Sequence, residues 1–294
     1  MASNKVDKMN KFKDIAIIIP CYNCENTITN LINQCLEYTK FVYVINDGST
    51  DNSLIKIRDS DAILLNNSRN FGVGYSIKKG IEKAIESGKN NFVTMDGDGG
   101  HNPSNIPNLL EYHYKNELEL TIGDRWSQNT NSTYYPSPKI WSNKFASALI
   151  NKVIGSEFND VACGFRVFGL NAFSIISKSK TRGFDFIYQS LIELFNCSRI
   201  GSIKVDCLYN AEELFYTKTE ELICLIKSVT AVVQRKDRIF SQLRRTNFLI
   251  SRYEKIQIEV NGNRIIAFPV KERNGYIFQY QNREFINSEA DIYL

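Results

Sequence analysis

The feature that most constrains the fold is the alternation of apolar runs and helical patterns in the first 96 residues. Four short apolar runs, rich in β-branched residues, are separated by segments whose apolar residues recur at helical spacing. Such runs are typical of strands buried on both faces of a sheet, and helical crossovers join parallel strands. We predict strands at residues 14–20, 41–46, 62–67 and 91–96. The expected fold is α/β, a doubly wound and mostly parallel sheet.

Composition limits the class of protein. The 294 residues are 43% hydrophobic and 23% charged, as in an ordinary globular protein, and the formal net charge of +4 is too small to indicate nucleic-acid binding. The first 14 residues are polar, so we predict no signal peptide. No apolar run approaches the roughly 20 residues of a transmembrane helix. We therefore expect a cytoplasmic protein.

Seven cysteines are scattered along the chain, and only Cys21 and Cys24 form a CxxC pair. A zinc site of that type needs a second pair, which the sequence does not contain. An odd number of cysteines without an export signal indicates reduced thiols. Two interpretations of the pair remain open, a redox pair or two small residues in a loop.

Polar clusters follow three of the predicted strands. They are the segments PCYNCEN (20–26), NDGSTD (46–51) and DGDGG (96–100). Ligands of open α/β sheets bind beyond the carboxyl ends of the strands, where these segments are expected to meet. The sequence therefore predicts one site at this edge of the sheet.

Asp96 and Asp98 are separated by one residue, so in an extended segment both carboxylates point to the same side. Two carboxylates on one side repel each other, and a divalent cation would neutralise them. Mg²⁺ and Mn²⁺ are suitable, because proteins hold such ions with one or two carboxylates together with substrate phosphates. The alternative is a solvated Asp-Gly turn. We predict a metal site.

Six segments occur in an order that resembles glycosyltransferase family 2, the inverting GT-A enzymes. They are IIIPCYNCENTI, VINDGSTDNS, NFGVGYSIKKGIEKA, VTMDGDGGHNP, GDRW and DVACGFRVFG. The similarity covers residues 14–210 and is closest to the branch that loads sugars onto polyprenyl (dolichyl-type) phosphates. It implies a Rossmann-like GT-A fold and an enzyme that moves a sugar from a UDP- or GDP-linked donor to an acceptor.

The resemblance also implies roles for individual residues. Asp96 and Asp98 match the DxD motif that grips the ribose and the metal-bound diphosphate. Asp47 matches a carboxylate that accepts a hydrogen bond from the base, a role that suits an acceptor-only group. The other residues expected around the nucleotide are Pro20, Tyr22, Asn23, Glu25, Asn70, Gly72 and Gly74.

One departure from the family pattern concerns the metal. The polyprenyl-phosphate branch usually has Gln two positions after the second Asp, where this chain has Gly100. Either water or His101 would then supply the missing ligand. His101 is usual in the motif, so it is first a structural loop residue and second a metal ligand.

The expected acceptor contacts are Arg125, Lys139 and Arg166. In the family branch that this chain resembles, an arginine in the position of Arg125 faces phosphate, and its planar fork suits phosphate oxygens. Residues 137–155 are predicted to form an amphipathic helix that contacts either a lipid acceptor or the core of its own domain. Its apolar stripe comprises Ile140, Trp141, Phe145, Ala148, Leu149 and Val153, and the largely opposite side comprises Lys139, Asn143, Ser147, Asn151 and Lys152.

Asp160 and Asp185 are the remaining carboxylates in motif positions. A hydroxyl acceptor needs a general base, for which Asp160 is the first choice and Asp185 the second. A lipid phosphate is already ionised and needs none, in which case Asp160 would orient the acceptor or brace Arg166. Both carboxylates could equally be structural ion-pair partners.

The last third of the chain differs in kind. Residues 217–245 are predicted to form a long helix with a basic end, suited to an anionic membrane surface or simply to a solvated face. Residues 246–294 contain two predicted hairpins, the first turning at Asn261-Gly262. The predicted organisation is a catalytic domain at 1–216, the helix at 217–245 and a β-rich appendage at 246–294, which caps the domain, forms a homodimer or contacts the acceptor.

The acceptor class remains open between a lipid phosphate and a hydroxyl group of a glycan. Relatives that act on polyprenyl phosphates often carry transmembrane helices in the last third, and this chain has none there, so any membrane contact is expected to be peripheral. Two other classes of protein fit the sequence less well. A non-catalytic nucleotide-sugar-binding protein would not need both Asp96 and Asp98, and a nucleotidyltransferase would carry a Gly-rich signature with Arg and Lys after the first strand.

Overall fold

The computed structural model describes residues 13–127, 137–195, 198–206 and 208, together with five strands between residues 256 and 293. The chain divides into two compact units, Met1–Val229 and Thr230–Leu294. The two predicted domain boundaries, after residues 216 and 245, lie outside the described residues, so that division stays a prediction.

The first unit contains seven strands and seven α-helices among its described residues. The strands are β1 (Ile15–Cys21), β2 (Val42–Asn46), β3 (Ile63–Asn66), β4 (Asn91–Thr94), β5 (Leu120–Asp124), β6 (Arg166–Gly169) and β7 (Ile200–Lys204). The helices are α1 (Ile28–Cys35), α2 (Ser53–Arg58), α3 (Val73–Glu86), α4 (Ile106–Lys115), α5 (Ser137–Ile154), α6 (Leu170–Ile176) and α7 (Asp185–Leu194).

These strands form one sheet in the order β3-β2-β1-β4-β6-β5-β7. All of its pairings are parallel except those of β6, which runs antiparallel to both β4 and β5. The predicted doubly wound, mostly parallel sheet is therefore confirmed, and the four predicted strands are present within one or two residues. Strand β6 lies inside the motif DVACGFRVFG, for which no strand is predicted from the sequence.

Helices cover the sheet through the apolar faces that the sequence predicted. Every residue of β1 is buried, and α1 buries Ile28, Leu31, Ile32 and Cys35. Helix α3 comes especially close to the sheet, because a Cβ on Gly80 would lie 2.6 Å from Ile18 Cγ2 and 2.7 Å from Ile45 Cδ1. This close packing holds the middle of α3 against β1 and β2.

Helix α5 has the opposite orientation to the one its sequence suggested. Asn143 and Ser147, on the predicted polar side, are buried, whereas Phe145 on the apolar stripe is 57% exposed. The reason is the segment that follows the helix. Ser147 Oγ donates to Asn159 O at 2.9 Å, and the Asn151 amide bonds both the N–H and the carbonyl of Phe158. The polar side supplies hydrogen bonds that this irregular segment needs.

The second unit contains a five-stranded antiparallel sheet in the order β11-β10-β9-β8-β12. Its strands are β8 (Ile256–Val260), β9 (Asn263–Glu272), β10 (Gly275–Tyr280), β11 (Arg283–Phe285) and β12 (Asp291–Tyr293). Both predicted hairpins are confirmed, as β8 pairs with β9 and β10 with β11. The predicted helix at 217–245, with its basic end, lies outside the described residues. No helix in the described parts of the chain is long and apolar enough to cross a bilayer.

Candidate active site

The loops after β1 and β2 are fastened to each other by side chains expected to hold the nucleotide. Asn23 Oδ1 accepts from Thr50 N at 2.8 Å, and Glu25 Oε2 accepts from Asn52 N at 3.0 Å. Asn23 adopts a left-handed conformation with φ of 54°, which turns the chain sharply after β1. The two loops therefore form one hydrogen-bonded ridge along the carboxyl edge of the sheet.

Other residues expected at the nucleotide differ in accessibility. Tyr22 is 39% exposed, so its ring is open to a ligand. Asn70 is also exposed, whereas Pro20 is buried within β1. Tyr22 and Asn70 are thus accessible to a donor, and Pro20 can act only through its backbone.

Asp47 lies beneath the adjoining loop. Its carboxylate is 3% exposed, and it accepts hydrogen bonds from Asn67 Nδ2 at 2.7 Å, Phe71 N at 2.9 Å and Gly72 N at 2.8 Å. Its oxygens therefore hold residues 67–72 rather than stand open to a base N–H. In this conformation Asp47 has almost no accessible surface, so its carboxylate cannot accept the expected hydrogen bond from the base.

The two glycines of the next segment, Gly72 and Gly74, serve close packing against α7. A Cβ on Gly74 would lie 2.4 Å from Phe186 Cβ, and one on Gly72 would lie 2.5 Å from Arg182 O. Gly72 also has φ of 99°, a conformation that other residues rarely adopt. These glycines bring residues 182–186, including Asp185, next to the loop held by Asp47.

Asp96 and Asp98 stand at the end of β4, as predicted. Asp98 is exposed and its Oδ1 accepts from Gly100 N at 2.9 Å, whereas the side chain of Asp96 is 30% exposed. A Cβ on Gly164 would lie 2.5 Å from both carboxylate oxygens of Asp96, so any other residue there would displace this carboxylate. Thr27 Oγ1 donates to Gly97 O at 2.6 Å and fixes the peptide between the two carboxylates.

His101 holds the side chain of Asp96 in place. Its Nε2 lies 2.9 Å from Asp96 Oδ2, its ring packs on Phe165 at 5.4 Å, and the residue is 3% exposed. Its other nitrogen, Nδ1, is buried without a hydrogen-bond partner. Neither nitrogen is presented to a metal on the open side of Asp96. This geometry supports His101 as a structural residue of the loop and does not support it as a metal ligand.

The donor set fits a hard divalent cation. Asp96 and Asp98 flank one tightly packed turn, in which Asp96 is held by His101 and Asp98 is exposed. No group of three or more His, Cys, Asp or Glu suited to a metal exists among the described residues. Such a site matches ions that take most of their remaining ligands from substrate phosphates and water.

Arg125 and Asp160 form a buried bidentate pair. Arg125 Nε lies 2.6 Å from Asp160 Oδ2, and Nη2 lies 2.9 Å from Oδ1. The Arg125 backbone N–H also donates to Oδ2, and the two residues are 8% and 2% exposed. From the sequence, Arg125 is expected at the acceptor phosphate, and Asp160 is expected as a general base, as an acceptor-orienting group or beside Arg166. Instead, the charges of Arg125 and Asp160 neutralise each other, as expected if both are structural ion-pair partners.

Arg166 has no exposed surface and cannot contact an acceptor in this conformation. Its guanidinium donates to three backbone carbonyls and one hydroxyl, which belong to Val161, Cys163, Ile187 and Ser190. Burial lowers the pKa of Arg166 to about 10, which leaves it protonated at neutral pH. Arg166 thus ties the segment before β6 to α7. The expected acceptor role is corrected to a structural one.

Asp185 differs from Asp160 in its surroundings. It is half-buried at the first position of α7, where Oδ1 accepts from Gly183 N at 2.9 Å. Lys139 lies in the first turn of α5, but its side chain is outside the described residues. Of the two carboxylates expected as a base, Asp185 is the one without a bidentate arginine in this structure.

Comparison with known proteins identifies the family. The description "Glycosyl transferase family 2" matches residues 16–175, more than half of the chain. The chain belongs to this family. It is therefore a glycosyltransferase, and the resemblance seen in the six motifs is confirmed.

Several relatives of the glycosyltransferase have named activities. The UDP-N-acetylglucosamine–dolichyl-phosphate N-acetylglucosaminyltransferase of Methanococcus voltae is 25% identical over 217 residues, covering 67% of this chain and 86% of the relative. The dodecaprenyl-phosphate galacturonate synthase of Rhizobium johnstonii is 26% identical, covering 65% and 58%. The polyprenol monophosphomannose synthase of Mycolicibacterium smegmatis is 23% identical, covering 52% and 60%. All three names include a polyprenyl or dolichyl carrier.

Solved structures resemble the glycosyltransferase in fold. Glucosyl-3-phosphoglycerate synthase from Mycobacterium tuberculosis, crystallised with Mn²⁺, UDP and glucosyl-3-phosphoglycerate, aligns with a TM-score of 0.58 at 17% identity. The alignment covers 78% of this chain and 82% of that one. The GT-A fold is therefore confirmed.

Sequence reasoning missed several residues that shape the site of the glycosyltransferase. Asp124, in the GDRW motif, accepts from Trp126 N at 2.8 Å and from Asn159 Nδ2 at 2.9 Å, so it holds the turn that carries Arg125. Gly164 and Thr27 support the DxD turn. The motif positions of Asp124 and Gly164 were a usable signal, whereas nothing near Thr27 in sequence indicates its partner 70 residues away.

The geometry of Asp47 leads to a testable prediction. Asp47→Ala should lower the free energy of unfolding by about 1–3 kcal/mol, because it leaves buried donors of the 67–72 loop unpaired. Urea unfolding of the variant and the parent measures the loss. UDP and GDP titrations on the same samples separate this effect from base recognition. Weaker nucleotide binding with unchanged stability would instead indicate that Asp47 contacts the base.

Proposed function

We propose that this glycosyltransferase moves a sugar from a UDP- or GDP-linked donor to a polyprenyl phosphate, with Mg²⁺ or Mn²⁺ held at Asp96 and Asp98. Binding of the donor and the metal is supported mainly by the carboxylate pair at the end of β4. Asp98 is exposed there, and Asp96 is held in place by His101. The acceptor half rests on the three relatives named for polyprenyl or dolichyl phosphates.

Each residue of the proposed site has a separate role in binding or catalysis. Asp96 and Asp98 would bind the metal together with the diphosphate of the donor. A divalent cation bound there neutralises the negative charge that develops on the leaving nucleoside diphosphate. Tyr22 and the ridge formed by Asn23 and Glu25 flank the nucleoside. The acceptor phosphate, already ionised, attacks the anomeric carbon without a general base.

Helix α5 supports a lipid acceptor. Its polar side is used inside the protein, and Phe145 is left 57% exposed beside the exposed Lys144. An apolar ring next to a cation suits the interface of an anionic membrane. Peripheral contact through this helix is compatible with the described part of the chain, in which no helix is long and apolar enough to span a bilayer.

A hydroxyl acceptor is the second candidate, and the Arg125–Asp160 pair favours it. The cation expected at the acceptor phosphate is already neutralised by a bidentate carboxylate. In that case Asp185 is the base, because within the described part of the chain its carboxylate accepts from a backbone N–H and has no bidentate arginine partner. The two candidates differ in whether the reaction needs a proton acceptor.

One experiment separates the two acceptors. Labelled UDP- and GDP-sugars are incubated with Mn²⁺ and either short-chain polyprenyl phosphates or free glycans, using the parent, Asp185→Asn and the exposed-carboxylate control Asp61→Asn. We expect transfer to polyprenyl phosphate, with less than about threefold loss in Asp185→Asn, since an ionised acceptor needs no base. Transfer to glycans alone, lost in Asp185→Asn and kept in Asp61→Asn, would establish the hydroxyl acceptor instead.

A further inference from the structure

The CxxC pair lies beside the DxD turn, and the proposed function uses neither of its thiols. Cys21 is the last residue of β1 and is buried, and Cys24 follows three residues later and is partly exposed. Asn23, between them, has φ of 54°, so the chain folds back on itself within the pair. Such a turn brings the third residue after a strand end back towards the strand.

Cys24 also contacts the peptide between the two carboxylates. A Cβ on Gly97 would lie 2.9 Å from Cys24 Sγ and 3.4 Å from Cys21 Cα. Thr27, three residues beyond Cys24, donates to Gly97 O. The turn that carries both cysteines is therefore packed directly on the turn that carries Asp96 and Asp98.

Cys24 Sγ donates to Tyr22 O at 3.5 Å, inside the turn that joins the two cysteines, and each thiol affects the pKa of the other. A side-chain hydrogen bond from Cys24 lowers the pKa of Cys21 against the opposing effect of burial, and a hydrogen bond from Ser53 assists. The same contact raises the pKa of Cys24. Cys21 is thus the more easily ionised sulfur, and thiolates are the nucleophiles in disulfide formation.

We propose that Cys21 and Cys24 are an oxidisable dithiol site whose disulfide displaces the turn between Asp96 and Asp98. The two thiols lose two electrons and two protons to hydrogen peroxide, which is reduced to two water molecules, and an S–S bond forms. A dithiol reductant reverses the reaction. The proposal concerns residues of this chain alone and needs no transferase activity for its test.

The expected displacement follows from bond length. A disulfide holds its sulfurs about 2.05 Å apart, much closer than two hydrogen-bonded thiols. Because Cys21 is fixed in β1, Cys24 must move towards it and away from Gly97. Asn23 and Glu25 move with it, although both are bonded to the loop after β2. Under the proposed function, this movement weakens binding of the donor.

Two other cysteines provide internal controls. Cys35 and Cys163 are both fully buried, and burial raises the pKa of each to about 12. Cys21 is equally buried, but its pKa is lowered, whereas buried thiols with a raised pKa are inert. Cys35 shares the tryptic peptide 14–40 with the CxxC pair, since no Lys or Arg lies between residues 14 and 39. One peptide thus reports the reactive pair and its control.

The test uses the full chain, treated with one equivalent of hydrogen peroxide and then alkylated after denaturation. Peptide 14–40 should lose two hydrogens and keep one alkylated thiol, at Cys35, and fragmentation should locate the bond at Cys21–Cys24. Amide hydrogen exchange across residues 93–101 should rise at least threefold on oxidation and return on reduction. In Cys24→Ser, peroxide should leave this exchange rate unchanged.

Different results would overturn the proposal. Alkylation of both Cys21 and Cys24 after peroxide, or oxidation of Cys24 to higher acids without a disulfide, would exclude the dithiol site. A disulfide that leaves hydrogen exchange of residues 93–101 unchanged would exclude the coupling to the DxD turn. Titration of the oxidised and reduced forms with UDP or GDP and Mn²⁺ then reports the consequence for the donor. If neither the oxidised nor the reduced form binds the nucleotide, the result counts against the proposed function and not against the disulfide.

Discussion

Alanine in place of Arg125 should lower the free energy of unfolding by about 3–5 kcal/mol, because it leaves the buried carboxylate of Asp160 without its bidentate partner. Arg125 Nε lies 2.6 Å from Asp160 Oδ2, and the side chains are 9% and 0% exposed. Urea unfolding followed by circular dichroism gives the difference. If Arg125 contacted only the acceptor, its replacement by alanine would change the free energy of unfolding very little.

The chain offers a matched control for this experiment. Arg199 pairs with Glu117 at 2.8 Å, but these side chains are 63% and 73% exposed. Arg199→Ala should therefore cost less than about 1 kcal/mol. The double variant Arg125→Ala with Asp160→Ala should regain part of the loss, since no charge is then buried alone. Equal effects of Arg125→Ala and Arg199→Ala would contradict a structural role for the buried pair.

Asparagine in place of Asp98 should reduce transfer at least about 100-fold, equivalent to about 2.7 kcal/mol of transition-state stabilisation. The substitution keeps the shape of the side chain but removes the charge available to a divalent cation. Because Asp98 is exposed, its free energy of unfolding should change by less than about 0.5 kcal/mol. Initial rates with Mn²⁺, with Mg²⁺ and with excess EDTA are measured on the parent and the variant.

The control for Asp98→Asn is Asp61→Asn, which removes an exposed carboxylate that follows α2, away from the DxD turn. It should keep the parent rate. Full activity of the parent in excess EDTA would remove the metal from the proposed function. Loss of activity in both variants would point to net charge and not to the DxD turn.

Local pattern was sufficient to predict the first four strands, the helical crossovers between them and the edge of the sheet where the polar clusters meet. Buried parallel strands are continuous apolar runs, and the sheet type then determines where ligands bind. Asp96 and Asp98 could be found because the end of β4 and their spacing are both visible in the sequence. The hairpins of the second unit could be predicted for the same reason, since their alternation is local.

Partners distant in sequence could not be predicted. Arg125 meets Asp160 across 35 residues, and Asp47 meets Gly72 across 25. Carboxylates and arginines in motif positions look available in a sequence, whereas in the structure several of them are used to hold loops. Helix α5 shows the same limit, because the segment that binds its polar side has no pattern of its own.

Strand β6 has a consequence for how this protein could be engineered. Because it runs against its neighbours, the chain enters β6 at the edge that carries the carboxylates. Extra residues between α5 and β6 would shift Gly164 away from Asp96 and Asp160 away from Arg125 together. The connection after α3 lies at the opposite edge, where a side chain on Gly88 would meet nothing within 4 Å. An affinity tag or a fused reporter domain belongs there, where its insertion leaves the geometry of the catalytic edge intact.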